Sequence, residues 1–350
     1  MDDGHEGLER ISFNQSRIKI FNQCPKKFDY KYNQLLEPKR KVRPLFLGSW
    51  IHAALETHYR DGDWTIGHNE YVKEWDKLFD EEKKELAAGR GKSGLPFPVL
   101  VKRIMDSYRW YYRNDHFTPY MVEEILEVET PLKIEGKYFV FKGRLDLIMR
   151  DDDDGSLWLW DHKTASTIPQ PTSFHGMDPQ LMLYPWAAKQ QFGIDIAGVY
   201  YNYVKSKPPS VPKLNQDGSL SKRKIVTDYP TAYRFLKQNG YDPNDFSEML
   251  KPLARQSPFL RRYKLSREEE VTKNILLDTL SVVKRIDETK RWTRTITRDC
   301  VRCEYQDICR AELNGFDTTM MRQTSFNIAE EDYVIHGNSV ATDDETDEDE

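Results

Sequence analysis

A chain of 350 residues with 38% hydrophobic and 12% aromatic content can build a sizeable core, as one large domain or two ordinary ones. No run approaches the ~20 apolar residues of a membrane span and no signal peptide opens the chain, so a soluble intracellular protein is expected, cytoplasmic or nucleoid-associated, whether from a cell or a phage. The seven acidic residues of 343–350 more than account for the net charge of −5, leaving a body near neutrality that does not advertise nucleic-acid binding by charge alone.

In chain order, 1–11 reads as a flexible N-terminus. Ser16 caps a short helix carrying Ile18, Ile20 and Phe21, Cys24-Pro25 ends it, and a basic, aromatic helical turn follows. A second helix starts at the Ser49 cap and places His52 and Glu56 on one face. Amphipathic helices are predicted over 70–88 and 99–117, separated by a basic loop at 89–98. Strands are predicted over 123–134, 137–149 and 157–163, then a helix over 178–192 and a strand over 196–204. A Pro-, Ser- and Lys-rich loop at 205–224 precedes helices at 229–239 and 267–290. His58, His68, His116 and His175 read as structural or surface histidines. The order of elements predicts an α/β core in one domain over 12–315, with a helical insertion at about 65–117 and a helical C-terminal part at about 230–315. The stretch 316–350 reads as a polar, acidic, disordered tail. Its bland role is solubility; the competing one is a DNA mimic lying in the active groove.

The centre of the chain is 143–163, which reads as two strands and a turn. Leu157, Leu159, Asp161 and Lys163 share one parity and so one strand face. The acidic run 150–155 ends in glycine and suits an exposed hairpin turn. Pairing Asp151 with Ser156 sets Asp146 directly opposite Asp161, and directly opposed residues point to the same side. Two carboxylates and a lysine then meet at one end of the hairpin. Like charges facing each other are unfavourable, and a divalent cation between them compensates. The bland alternative is a solvated hairpin with ordinary surface charges. Four cysteines remain: Cys24 near one end, and Cys300, Cys303 and Cys309 near the other. Four thiolates can hold Zn²⁺ or an iron–sulfur cluster, and spacing alone leaves both open.

Taken together, Gly48-x3-His52 with Leu55 and Glu56, Gly143-Arg144-Leu145-Asp146, Asp161-His162-Lys163 and Gln180-x3-Tyr184 resemble, in that order, the RecB-like branch of the PD-(D/E)XK nucleases. The flanking cysteines are similar to those of its iron–sulfur members, the AddB-type nuclease domains and the CRISPR-associated exonucleases. The resemblance implies a restriction-endonuclease-like core, a central mixed sheet flanked by helices, with helical additions. It implies a [4Fe–4S] cluster on Cys24, Cys300, Cys303 and Cys309 as a clasp joining the N- and C-terminal segments. It further implies that His52, Asp146 and Asp161, with the His162 carbonyl, bind catalytic Mg²⁺ or Mn²⁺, and that Lys163 assists the attacking water. An imidazole ligand favours Mn²⁺. Gln180 and Tyr184 would brace the site and contact DNA, with Arg144 and Glu56 supporting the ligands. The chain departs from the superfamily name in carrying Leu145 where a proline would stand.

The expected function is a metal-dependent DNA exonuclease preferring single-stranded or processed ends, acting in recombination, repair or replication. The alternatives are a structure-specific endonuclease or nuclease subunit of a recombination complex, and, from another class, an inactive iron–sulfur DNA-binding subunit. The partner is DNA. No G-x4-G-K-[ST] loop occurs, so any helicase is a separate protein.

Overall fold

The computed structural model describes residues 8–88, 95–134, 136–170, 177–221, 223 and 225–330. The chain opens with β1 (Glu9–Phe13), α1 (Gln15–Gln23), α2 (Pro25–Phe28) and, after a π-helical turn, β2 (Leu36–Pro38). Helices α3 (Arg43–Asp61), α4 (Thr65–Asp76), α5 (Asp80–Ala88) and α6 (Phe97–Tyr111) follow. Strands β3 (Phe117–Ile134), β4 (Lys137–Asp151) and β5 (Leu157–Ala165) lead through α7 (Pro179–Phe192) to β6 (Ile196–Lys205). Next come α8 (Tyr229–Gln238), α9 (Ser247–Arg255) and β7 (Leu260–Ser266). The last elements are α10 (Glu269–Glu288), α11 (Gln306–Leu313), α12 (Thr319–Ser325) and β8 (Phe326–Ile328). The acidic stretch 343–350, the loop tip 89–94 and His175 lie outside the described residues. No described helix is long and apolar enough to cross a membrane.

Local chemistry explains the ends of the first helices. Asn14, rather than Ser16, caps α1, its side chain accepting from Arg17 N–H at 2.8 Å. Helix α3 begins six residues before Ser49, because Pro44 in its first turn needs no N–H partner and presets the helical φ. It stops at Gly62, which takes φ +72°.

The chain forms two compact units. The larger comprises Lys41–Glu124 and Leu145–Thr272. In it β5 pairs antiparallel with the end of β4 and parallel with β6, and β7 runs antiparallel to β6. This mixed sheet with its helices is the α/β, restriction-endonuclease-like core that the sequence predicts. Trp158 to His162 of β5 are all buried, as befits a central strand covered on both faces. Helices α3, α4 and α6 enclose a second core around Trp50, Trp75, Phe97 and Tyr108. There His68 Nδ1 accepts the Trp50 indole N–H at 3.1 Å, which is a structural role. Gly67 permits the contact of α3 with α4, since a Cβ there would lie 2.2 Å from the Ala53 carbonyl oxygen.

The smaller unit comprises Met1–Arg40, Ile125–Arg144 and Lys273–Glu350. Strand β1 pairs parallel with the first half of β4, and β2 pairs antiparallel with β8. Here the expected iron–sulfur clasp is corrected, and with it the zinc alternative. Among the described residues, no group of three or more metal-ligating side chains with donor atoms within 4.8 Å of one another includes a cysteine. Cys24, Cys300, Cys303 and Cys309 are free thiols lining one cavity of about 330 Å³. Each has a partner within the protein, the backbone of Tyr305 in the case of Cys303. Arg294 Nε donates to Cys309 Sγ at 3.3 Å, Thr295 N–H to Cys24 Sγ at 3.5 Å, and Cys300 Sγ to the Thr295 carbonyl at 3.8 Å.

The two ends of the chain are joined by other means. Tyr30, Leu36, Tyr305, Ile308 and Phe326 form an apolar core, with Tyr305 stacked between Tyr30 at 5.4 Å and Phe326 at 5.5 Å. Tyr305 OH donates to the Leu36 carbonyl at 2.7 Å, and Glu312 gathers Tyr30 OH, Arg294 and Arg322. Burial of aromatic surface here does the work that the sequence assigns to a cluster. Truncating Tyr305 to alanine is expected to lower unfolding stability by about 3–5 kcal/mol. Urea denaturation in the presence of a metal chelator measures this, and the loss persists with the chelator present.

Candidate active site

The β4–β5 hairpin fixes the site. Asp151 N–H donates to the Ser156 carbonyl at 2.9 Å, and Gly155 takes φ +75°, which a residue without Cβ tolerates. From the turn, Arg150↔Leu157, Met149↔Trp158, Ile148↔Leu159 and Leu147↔Trp160 form the ladder. This is the register that the sequence predicts; the ladder ends at Leu147 and Trp160, and its continuation would set Asp146 opposite Asp161. At that point a side chain takes over from the backbone: His162 N–H donates to Asp146 Oδ2 at 2.7 Å.

Asp161 is buried, and Lys163 Nζ contacts both its oxygens, at 2.9 Å and 2.7 Å. Burial pushes the Asp161 carboxyl up to about 7; Lys163 pulls it down and Asp146 adds to the rise. Burial also works against the charge on Lys163, but Asp161 and Asp146 hold its ammonium above the ordinary lysine value. Asp146 goes the other way. Although burial favours its neutral form, His52, Lys163 and the hydrogen bond from the His162 N–H keep it below the usual carboxylate range. Neighbouring environments therefore drive the two carboxylates apart.

Helix α3 contributes the next group. A Cβ at Gly48 would lie 3.3 Å from Thr164 Oγ1, so glycine lets the helix approach β5 closely. One turn on, His52 Nδ1 comes within 3.7 Å of Asp146 Oδ2. Strand β3 adds Glu123: donor atoms of His52, Glu123 and Asp146 all lie within 4.8 Å of one another. One imidazole and two carboxylates are a donor set for a hard or borderline divalent cation, better suited to Mn²⁺ than to Mg²⁺.

The opposite face of the hairpin is dry. Leu147, Met149, Trp158 and Trp160 pack with Tyr59, Phe117, Val122 and Tyr200. His162 lies on this face, and burial lowers its pKa to about 3 against the pull of Asp146, so its imidazole is neutral. A neutral Nδ1 accepts from Asn202 Nδ2 at 2.7 Å, and the same amide donates to Tyr108 OH at 2.8 Å. Tyr108 OH shares a 2.6 Å hydrogen bond with Tyr59 OH, and the Tyr59 ring stacks on His162 at 5.8 Å. Arg262 of β7 closes the network, over the rings of Tyr112 and Trp160 at 3.4 Å and 4.2 Å, with Nη1 on Asp115 at 2.5 Å.

Asp178 caps α7, accepting from Gln180 N–H at 3.0 Å, and its other oxygen accepts from Tyr201 OH at 2.8 Å. Gln180 Nε2 donates to Tyr184 OH at 3.2 Å, one helical turn away. Burial raises the Tyr184 hydroxyl pKa, and the charge of Asp146 adds to it.

The structure thus gathers His52, Asp146, Asp161, His162 and Lys163, with Tyr184 and its partner Gln180 in their field. Glu56 is instead ion-paired with Arg60 at 2.5 Å. Arg144 stands two residues before Asp146 on β4. Sequence reasoning missed Glu123, Asn202, Tyr108 and Arg262, which come from four separate elements and share no spacing.

Residues 12–310 match the family model described as the PD-(D/E)XK nuclease superfamily. The chain belongs to this superfamily. Among solved structures it is similar to a candidate exonuclease from Eubacterium rectale, with 11% identity, a TM-score of 0.45, and coverage of 83% of this chain and 86% of that one. No curated protein matches. In this PD-(D/E)XK chain the core motifs stand on one hairpin, and the polar network behind it holds His162. Replacing Asn202 with leucine leaves His162 Nδ1 and Tyr108 OH without the amide in a buried setting. The expected cost is about 1–3 kcal/mol per group, read by chemical denaturation.

Proposed function

We propose that this chain is a metal-dependent DNA exonuclease of the RecB-like branch, hydrolysing phosphodiester bonds at single-stranded or processed ends in recombination, repair or replication. The observation that carries the reading is the approach of His52 to Asp146 at 3.7 Å beside the Asp161–Lys163 pair. Superfamily membership supports hydrolysis of a phosphodiester, and the ordered motifs support the branch.

On this reading His52, Asp146 and Asp161, with the His162 carbonyl, hold the cation. A divalent cation there supplies Lewis acidity toward a phosphoryl oxygen and lowers the pKa of a nearby water. The chain's own residues do the rest. Lys163, kept charged by Asp161 and Asp146, stabilises negative charge developing on the phosphate. Tyr184 and Gln180, fixed to each other, brace the site and contact the DNA strand. Asn202 and Tyr59 keep the His162 ring in place, so its backbone stays directed by the hairpin.

With Mn²⁺ present, linear single-stranded DNA should be degraded from its ends while a closed circle persists. Asp161→Asn should cut more slowly than wild type by more than the roughly 10–100-fold that changes behind a ligand cost, with DNA binding retained. Lys163→Ala should lose about 10²–10³-fold in turnover. Full-rate cleavage by either variant, or equal cutting of the circle, would contradict the proposal.

A further inference from the structure

We infer that Glu123 is a further ligand of the cation held by His52 and Asp146. This rests on the metal-dependent reading above, and it assigns a residue that no sequence motif marks.

Two independent observations carry it. The first is convergence: donor atoms of Glu123, His52 and Asp146, from β3, α3 and β4, lie within 4.8 Å of one another. Two ligands each ~2.0–2.2 Å from one cation can be at most ~4.4 Å apart. Small side-chain adjustments therefore suffice to place all three around one ion. Two carboxylates brought so close repel each other, and a cation between them turns that repulsion into attraction.

The second is the backbone. Glu123 has φ +54°, in the left-handed region, within a long strand. A side-chain-bearing residue is uncommon there, and such conformations gather at functional sites. Its effect on β3 is visible in the burial pattern. Leu126, Val128 and Thr130 face inward, so strict alternation would turn Glu124 inward and Glu123 out. Instead Glu124 and Ile125 are both exposed and Glu123 is half-buried. The alternation breaks beside the left-handed residue, as it does at a bulge, and the Glu123 carboxylate reaches the donor atoms of His52 and Asp146.

The test is Mn²⁺ binding to the full chain without DNA, by titration calorimetry, with melting curves recorded with and without the ion. Glu123→Gln keeps the shape and removes the charge, and is expected to weaken Mn²⁺ binding by at least about 10-fold. Glu123→Gly removes the carboxylate and relieves the left-handed backbone. It is expected to melt at or above the wild-type temperature in chelator, and to lose most of the Mn²⁺-induced rise. Wild-type Mn²⁺ affinity in both variants would overturn the assignment of Glu123. If His52→Ala and Asp146→Asn lose binding while the Glu123 variants keep it, only this inference falls. If the wild-type chain binds no Mn²⁺, the metal-dependent reading falls with it.

Discussion

The site depends on the register of the β4–β5 hairpin and on the way its ladder ends. A backbone pair at Asp146 and Asp161 would consume the N–H of His162 in the ordinary way. Instead the Asp146 carboxylate accepts that N–H at 2.7 Å, and negative charge is held at the mouth of the sheet. A one-residue slip would turn Asp161 and Lys163 to the face occupied by Trp158 and Trp160. The apolar cluster behind the hairpin therefore guards the chemistry in front of it, because slipping would set two charged side chains among apolar ones without their partners.

Holding buried charges needs partners, and the fold supplies them in two layers. In front, Lys163 lies on Asp161 and His52 approaches Asp146. Behind, hydrogen bonds link His162, Asn202, Tyr108 and Tyr59, and Arg262 is sandwiched among aromatic rings with Asp115 as its counter-ion. Networks of this kind specify one arrangement of side chains when complete and are costly when broken. The ends of the chain are organised differently, by stacked tyrosines and phenylalanine and by ion pairs on Glu312, without a metal-type convergence of thiols.

Much of the core was legible because strands announce themselves by parity and turns by composition. The acidic run closing at Gly155 gave the hairpin register directly, and His52 with Glu56 at helical spacing gave the helix that carries His52. What escaped notice depended on tertiary context. Strand β7 reads Leu-Arg-Arg-Tyr-Lys-Leu-Ser, too basic to look like a strand, and is stabilised by the stacking of Arg262 and Lys264 on rings of other elements. Glu123 is adjacent to Glu124, and only the left-handed backbone tells them apart. The cysteines mislead for the same reason: spacing places thiols near one cavity, but it does not say whether their sulfurs converge.

The central claim is that the end of the hairpin collects a divalent cation on Asp146 and His52. Diffraction from Mn²⁺-soaked crystals, recorded at the manganese absorption edge, tests it most directly. An anomalous peak ~2.0–2.3 Å from His52 and Asp146 donor atoms is the predicted result. A peak confined to His116, Asp151 and Asp153 at the hairpin turn, the other described group of suitable donors, or no peak beside Asp146, would contradict it.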